Sequence, residues 1–179
     1  MLGGGTWSTQ NKKLPGAYIS FISAARAASA LSDRGTIAFP MELEWGDTLT
    51  VLDMTTLLAD SRKLLGYDYQ AKELTDIREI MCRGTKLYLY RLNGNGVKAS
   101  CSYATAKYAG TRGNALKIVV ANSVDATSSY DVSTYLDNVR VDKQTVKKAS
   151  ELIDNDYVTF TKSGNLAVTA GTALINGTN

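Results

Sequence analysis

The chemical pattern that stands out most in the chain is Tyr103-Ala-Thr-Ala-Lys107. This is the Tyr-x-x-x-Lys spacing in which a lysine lowers a tyrosine's pKa for proton transfer to a carbonyl. That chemistry needs a nucleotide, held by a glycine-rich turn between an early strand and a helix, and the sequence has no such turn. The pair therefore reads as a strand or surface tyrosine with a lysine nearby. Gly94-Asn95-Gly96 lacks the third glycine of a dinucleotide fingerprint and reads as a turn. Asp154-Asn155-Asp156 offers hard oxygen atoms to a divalent cation, but no glutamate follows at calcium-loop spacing, so a helix-to-strand turn is expected. Cys82 and Cys101 have no CxxC spacing and read as small buried apolar residues of a reduced chain. Asn176-Gly177-Thr178 is a glycosylation sequon by pattern alone. Ser61-Arg62-Lys63 and Lys147-Lys148 read as solvated faces.

Histidine is absent. This removes Ser-His-Asp and Cys-His nucleophilic sites, HExxH zinc sites and every metal site built on imidazole. No catalytic, cofactor-binding or metal-binding set emerges, and the expectation is a protein that is not an enzyme and uses no cofactor. The formal charge of +3 is interspersed along the chain, so no direct nucleic-acid role is expected. No apolar run approaches the roughly 18 to 20 residues that cross a bilayer, so no stable membrane insertion is expected. The first residues, Met1 to Trp7, lack a basic leader and an apolar core, which predicts no secretory export. At 44% hydrophobic and 21% charged, the 179 residues can bury a core in one domain or in two small ones.

Three regions would position whatever surface the protein uses. Residues 1–35 form an arm and connecting segment, with Gly3, Gly4 and Gly5, a polar stretch, Pro15-Gly16 and a β-prone run over 17–22. Residues 24–31 are small and apolar and end in a turn at Gly35. Residues 36–95 read as an α/β portion. A strand over 36–39 is ended or placed at an edge by Pro40, and Leu43 and Trp45 then alternate with Glu42 and Glu44. A helix is predicted from the Asp53 cap to Gly66, with Leu57, Leu58, Leu64 and Leu65 on one face. A second is predicted from a Thr75 cap to Gly84, followed by a strand over 86–92.

Residues 96–179 read as short strands over 98–103, 116–121, 130–136, 139–143, 157–162 and 166–170. Asp137-Asn138 is a tight hairpin connection, and Ser163-Gly164-Asn165 is expected to join the last pair in the same way. One short helix is expected over 144–153. The fold class is thus α+β: an extended N-terminal arm, a partial α/β layer, then a β-sandwich-like domain with one short helix.

Longer stretches carry a family likeness. GGGTW, QNKKLPGAYISF and LSDRGTIAFPMELEWG resemble the N-terminal region of the tail sheath proteins of contractile bacteriophages and of phage-derived bacterial particles. GTRGNALKIVV, YDVSTYLDNVRVDKQTV, ELIDNDYVTF and LAVTAGTAL resemble the β-sandwich domain of the same family, in the family's order.

The resemblance implies a structural subunit that polymerises helically around the tail tube through strand-exchanging arms. It also implies contraction that drives the tube through the host envelope. The partners implied are neighbouring sheath subunits, the tail tube protein, and the baseplate and tail terminator proteins. The implied location is the virion tail, after assembly in the bacterial host cytoplasm. Alternatives are another structural tail component, tube or baseplate, or the sheath of a phage-derived bacteriocin or injection particle. Within this frame the arm over residues 1–22 is the expected subunit interface, with Gly3, Gly4 and Gly5 as its bend and Trp7, Tyr18, Ile19 and Phe21 as its anchors.

Overall fold

A computed structural model describes residues 35–179. The arm residues Gly3, Gly4, Gly5, Trp7, Tyr18, Ile19 and Phe21, the β-prone run 17–22 and the small-residue stretch 24–31 lie outside the described residues. The α+β class holds, with strands throughout and the α-helices of the described residues confined to the first half.

Helix α1 (Met54–Leu65) begins and ends where single residues set it. Asp53 accepts the Thr56 N–H at 2.7 Å, and this hydrogen bond holds its carboxyl below the usual range. Gly66 adopts a left-handed φ of 79° and donates its N–H to the Arg62 carbonyl at 3.0 Å. Leu57 and Leu65 are buried, whereas Leu58, one residue and about 100° further round the helix, is exposed. Helix α2 (Thr75–Met81) buries Ile77 and Met81. Thr75 is its first residue rather than its cap, because a 3-10 turn at Lys72–Leu74 runs directly into the helix and takes the Thr75 hydroxyl on the Lys72 carbonyl at 2.7 Å.

These helices cover one face of a three-stranded sheet of order β1-β3-β2. Strand β1 (Thr36–Met41) runs parallel to β3 (Lys86–Arg91), and β2 (Leu49–Leu52) runs antiparallel to it. Pro40 does not end β1; it sits within a strand at the sheet edge, where a missing N–H is tolerated. Ile37, Phe39, Leu52, Leu87 and Leu89 pack with Leu57, Leu65, Leu74, Ile77 and Met81 in one cluster.

The second half contains a four-stranded antiparallel sheet of order β7-β6-β5-β9 and a two-stranded pair, β4 (Ala104–Ala106) with β8 (Val158–Phe160). The four strands are β5 (Leu116–Asn122), β6 (Tyr130–Leu136), β7 (Val139–Val146) and β9 (Thr169–Ala173). Cross-strand pairs Leu116–Leu136, Ile118–Thr134 and Val120–Val132 turn one face inward, into a cluster shared with Ala104, Ala106, Val158 and Phe160. Asp137 and Asn138 join β6 to β7 with φ of 51° and 65°, the positive values that a two-residue hairpin matched to strand twist requires.

Four local expectations fail. Strand β7 continues to Val146 because it pairs with β6 as far as Tyr130, so the short helix expected over 144–153 is reduced to a 3-10 turn at Ala149–Glu151. Residues 98–103 form only isolated bridges at Ser100. Ser163-Gly164-Asn165 closes no hairpin, since β8 pairs with β4 and β9 with β5. Cys82 is exposed and Cys101 half-buried.

Two substitutions test the two clusters. Leu57→Ala and Ile118→Ala should each cost about 2–5 kcal/mol in urea unfolding. Val124→Ala, at a side chain 94% exposed, should stay within about 0.5 kcal/mol of the parent.

Candidate assembly surface

The segment after β1 carries the joint of the described structure. Glu42 and Glu44 face solvent while Leu43 and Trp45 are buried, as their alternation predicts. The two apolar side chains enter different clusters: Leu43 belongs to the helix-covered layer, and Trp45 to the sandwich. Trp45 is 1% exposed, its indole N–H donates to the Lys63 carbonyl at 3.1 Å, and its ring meets Tyr108 edge-on at 5.3 Å. Burial raises the hydroxyl pKa of both Tyr108 and Tyr157, which also faces the indole.

Polar contacts tie the same seam. Arg112 donates from Nε to the Gly66 carbonyl at 2.8 Å, pairs with Asp137, and lies 4.3 Å over the Tyr67 ring. The Tyr67 hydroxyl donates to Glu44, and burial followed by that carboxylate raises its pKa. Asp156 pairs with Lys63 at 3.1 Å and Lys107 at 3.7 Å, and its hydrogen bond raises the Lys63 pKa. Gly110, at φ 139°, passes so close to the Glu44 carbonyl that a Cβ there would lie 2.0 Å from the oxygen. Arg91, 3% exposed, donates from Nη1 to the carbonyls of Gly46 (3.0 Å) and Ala109 (2.8 Å), and from Nε to Asn93 at 3.2 Å.

Among the described residues, the opposite face of the three-stranded sheet carries no helix. Leu49 (55% exposed), Val51 and Tyr90 lie there with Tyr88, paired across β2 and β3 as Leu49–Tyr90 and Val51–Tyr88. Pro40 and Ala38 continue the face on β1. A strand apolar on both sides, as Leu87-Tyr88-Leu89-Tyr90 is, suits a sheet covered on both sides. The expected interface was the arm alone. The tyrosines alternating with leucines in this strand were the available sign of a second surface, and the unanticipated β2 completes it.

The chemical patterns in the sequence resolve into structural contacts. Tyr103 and Lys107 flank β4 and part ways, the hydroxyl to the Ala167 carbonyl at 3.5 Å and the ammonium to Asp156. Asn155 accepts the N–H groups of Tyr157 and Val158 and donates to Thr134 and Asp142, while Asp154 accepts the Phe160 N–H. These oxygens pin β8 to the sheet, and no group of three or more potential metal-ligating side chains occurs among the described residues. In the sequon, Gly177 is clamped by the Asn114 amide and the Thr178 hydroxyl accepts the Val97 N–H at 3.1 Å. Gly96 runs beside this strap, where a Cβ would lie 1.9 Å from the Thr178 carbonyl oxygen.

The helix-covered layer corresponds to a tail sheath protein Gp18 domain III N-terminal region, matched over residues 34–92, and the sandwich to a phage tail sheath protein β-sandwich domain, matched over residues 94–179. The chain belongs to the phage tail sheath protein family. It is 39% identical over 174 residues to the phage-like element PBSX protein XkdK of Bacillus subtilis strain 168, covering 94% of this chain and 37% of XkdK. The crystal structure of the sheath tail protein from Desulfitobacterium hafniense superposes with a TM-score of 0.74 at 37% identity, over 91% of this chain and 39% of that one. The sheath tail protein Lin1278 from Listeria innocua gives 0.70 at 36% identity, over 82% and 34%. The chain thus spans 37% of the length of the curated relatives it matches.

If Trp45 joins the two halves, Trp45→Ala should cost about 3–5 kcal/mol in urea unfolding, with both halves losing structure in one transition. Unchanged stability would contradict the joint.

Proposed function

We propose that the chain is the structural, non-enzymatic part of a tail sheath subunit that polymerises helically around the tail tube and contracts to drive the tube through the host envelope. The observation that carries this reading is the match to two sheath domain models, over residues 34–92 and 94–179. In this reading residues 1–35 are the linking arm, over about 1–22, and a connecting segment, 36–95 the α/β portion and 96–179 the sandwich. The spans of the two matched models support the last two. Gly3, Gly4 and Gly5 let the arm bend, and Trp7, Tyr18, Ile19 and Phe21 anchor it on a neighbouring subunit through strand addition.

The face around Leu49, Val51, Tyr88 and Tyr90, which no helix of the described residues covers, is the second contact, covered by further sheath polypeptide in the assembled tail. Repeated heterologous contacts that do not close generate a helix, and many weak links add avidity along the polymer. Contraction then needs no nucleotide, because two packings of the same subunits differ in their contacts. The tube, baseplate and tail terminator proteins are the other partners, and assembly takes place in the bacterial host cytoplasm. The name of the Bacillus subtilis relative, a phage-like element protein, favours a second version of this reading, in which the particle is phage-derived.

Negative-stain microscopy of the intact chain and of a variant lacking residues 1–22, over a concentration series, tests the arm. Rings or tubes that vanish with the arm are expected. Assemblies that survive the deletion would contradict the arm as the linkage and favour a tube or baseplate role.

A further inference from the structure

Asparagine followed by glycine occurs three times in the chain, at Asn93-Gly94, Asn95-Gly96 and Asn176-Gly177. In such a pair the glycine main-chain nitrogen can attack the asparagine side-chain amide, because no Cβ hinders the approach and the glycine backbone turns freely. The attack needs an asparagine side chain free to swing toward its own main chain and a glycine N–H that is not engaged elsewhere. The fold treats the three pairs differently. The Asn93 amide oxygen accepts the Leu43 N–H at 2.9 Å and the Arg91 Nε–H at 3.2 Å, which pins that side chain. Gly177 is buried and donates its N–H to the Asn114 side chain at 2.8 Å, so the nucleophile of that pair is taken. Asn95 is exposed in a turn, and no hydrogen bond among the described residues engages its side chain or the Gly96 N–H. The chain is held on both sides of it, by Asn93 and by Val97, whose N–H donates to the Thr178 hydroxyl at 3.1 Å and whose carbonyl accepts the Thr178 N–H at 3.0 Å.

We propose that Asn95 is a site of spontaneous deamidation and isomerisation, and that its isoaspartyl product loosens the strap at Gly177 and Thr178. The Gly96 nitrogen forms a bond to Asn95 Cγ and gives up its proton. The amide C–N bond of the side chain breaks, and ammonia leaves with that proton, which closes a five-membered succinimide. Water then adds to one of the two ring carbonyls, and the ring opens to aspartate or, with the main chain rerouted through the side chain, to isoaspartate. One water is consumed and one ammonia released, with no change of oxidation state and no cofactor. The isoaspartyl link lengthens the main chain by one carbon where there is no room for it. Gly96 runs so close to the strap that a Cβ would lie 1.9 Å from the Thr178 carbonyl oxygen, so moving Gly96 disturbs the paired hydrogen bonds of Val97 and Thr178.

The test is peptide mapping by mass spectrometry of the intact chain held in mildly alkaline buffer, folded and in urea, with enzymatic methylation to reveal isoaspartate. In the folded protein Asn95 should convert about tenfold faster than Asn93 or Asn176, which must first give up their hydrogen bonds. In urea the three rates should converge. Asn93 or Asn176 converting as fast as Asn95 in the folded protein, or an Asn95 that reacts in urea but not when folded, would overturn the site.

Asn95→Asp adds the charge without the extra main-chain carbon and so isolates the effect of isomerisation. Hydrogen exchange at the Val97 and Thr178 amides should be faster in the aged, isoaspartyl protein than in Asn95→Asp. Equal exchange in the two would overturn the loosening of the strap. None of these outcomes bears on the sheath reading.

Discussion

The described structure depends on one indole placed across a seam. Trp45 follows β1 by four residues, yet its side chain fills the sandwich core, while Leu43, two residues earlier, fills the other. A large aromatic group buried in a core built mainly by a distant stretch of chain cannot be moved without opening a cavity. The Lys63 carbonyl, at the end of α1, fixes its N–H, so the helix, the first strand and the sandwich share one anchor. The glycines beside it serve that arrangement: a Cβ on Gly66 would lie 2.8 Å from the Trp45 Cβ, and one on Gly110 would strike the Glu44 carbonyl. The cation over Tyr67 and the carboxylate shared by Lys63 and Lys107 lie along the same seam.

A joint of this kind would suit the contracting subunit proposed above. If neighbouring subunits rotate against one another, the change in contacts has to fall between subunits, and a stiff body transmits it whereas a soft one absorbs it. The sheet face around Tyr88 and Tyr90 is held on this body from behind by Leu87 and Leu89, so a partner laid on it would meet a surface already in place. Its apolar character, and two sheet edges that no strand of the described residues pairs with, fit contact with more polypeptide better than exposure to water.

The features legible in the sequence are those set by near neighbours. Asp53 and Gly66 mark the ends of α1 because a cap acts over three or four residues, and Asp137-Asn138 marks its hairpin because a two-residue turn needs positive φ. What escaped was set by distant partners. The weak helical periodicity over 144–153 yields to a ladder with β6, and β2 and β4 are short strands defined by β3 and β8. The destination of Trp45 was hidden too: alternation said that it was buried, not in which core. Arg91 ends a strand whose alternation is plain, but nothing near it in sequence announces the Gly46 and Ala109 carbonyls, 45 and 18 residues away. The family, by contrast, was legible from ordered stretches such as LSDRGTIAFPMELEWG and YDVSTYLDNVRVDKQTV, which carry likeness without explaining geometry.

The central claim is that a rigid body carries an apolar sheet face that neighbouring sheath polypeptide covers. Hydroxyl-radical footprinting of the dispersed and the assembled protein reads side-chain exposure directly. The account predicts that oxidation of Tyr88, Tyr90 and Leu49 falls on assembly, while Trp45 stays protected in both states. Equal oxidation of Tyr88 and Tyr90 before and after assembly, or a Trp45 that becomes labelled, would contradict it.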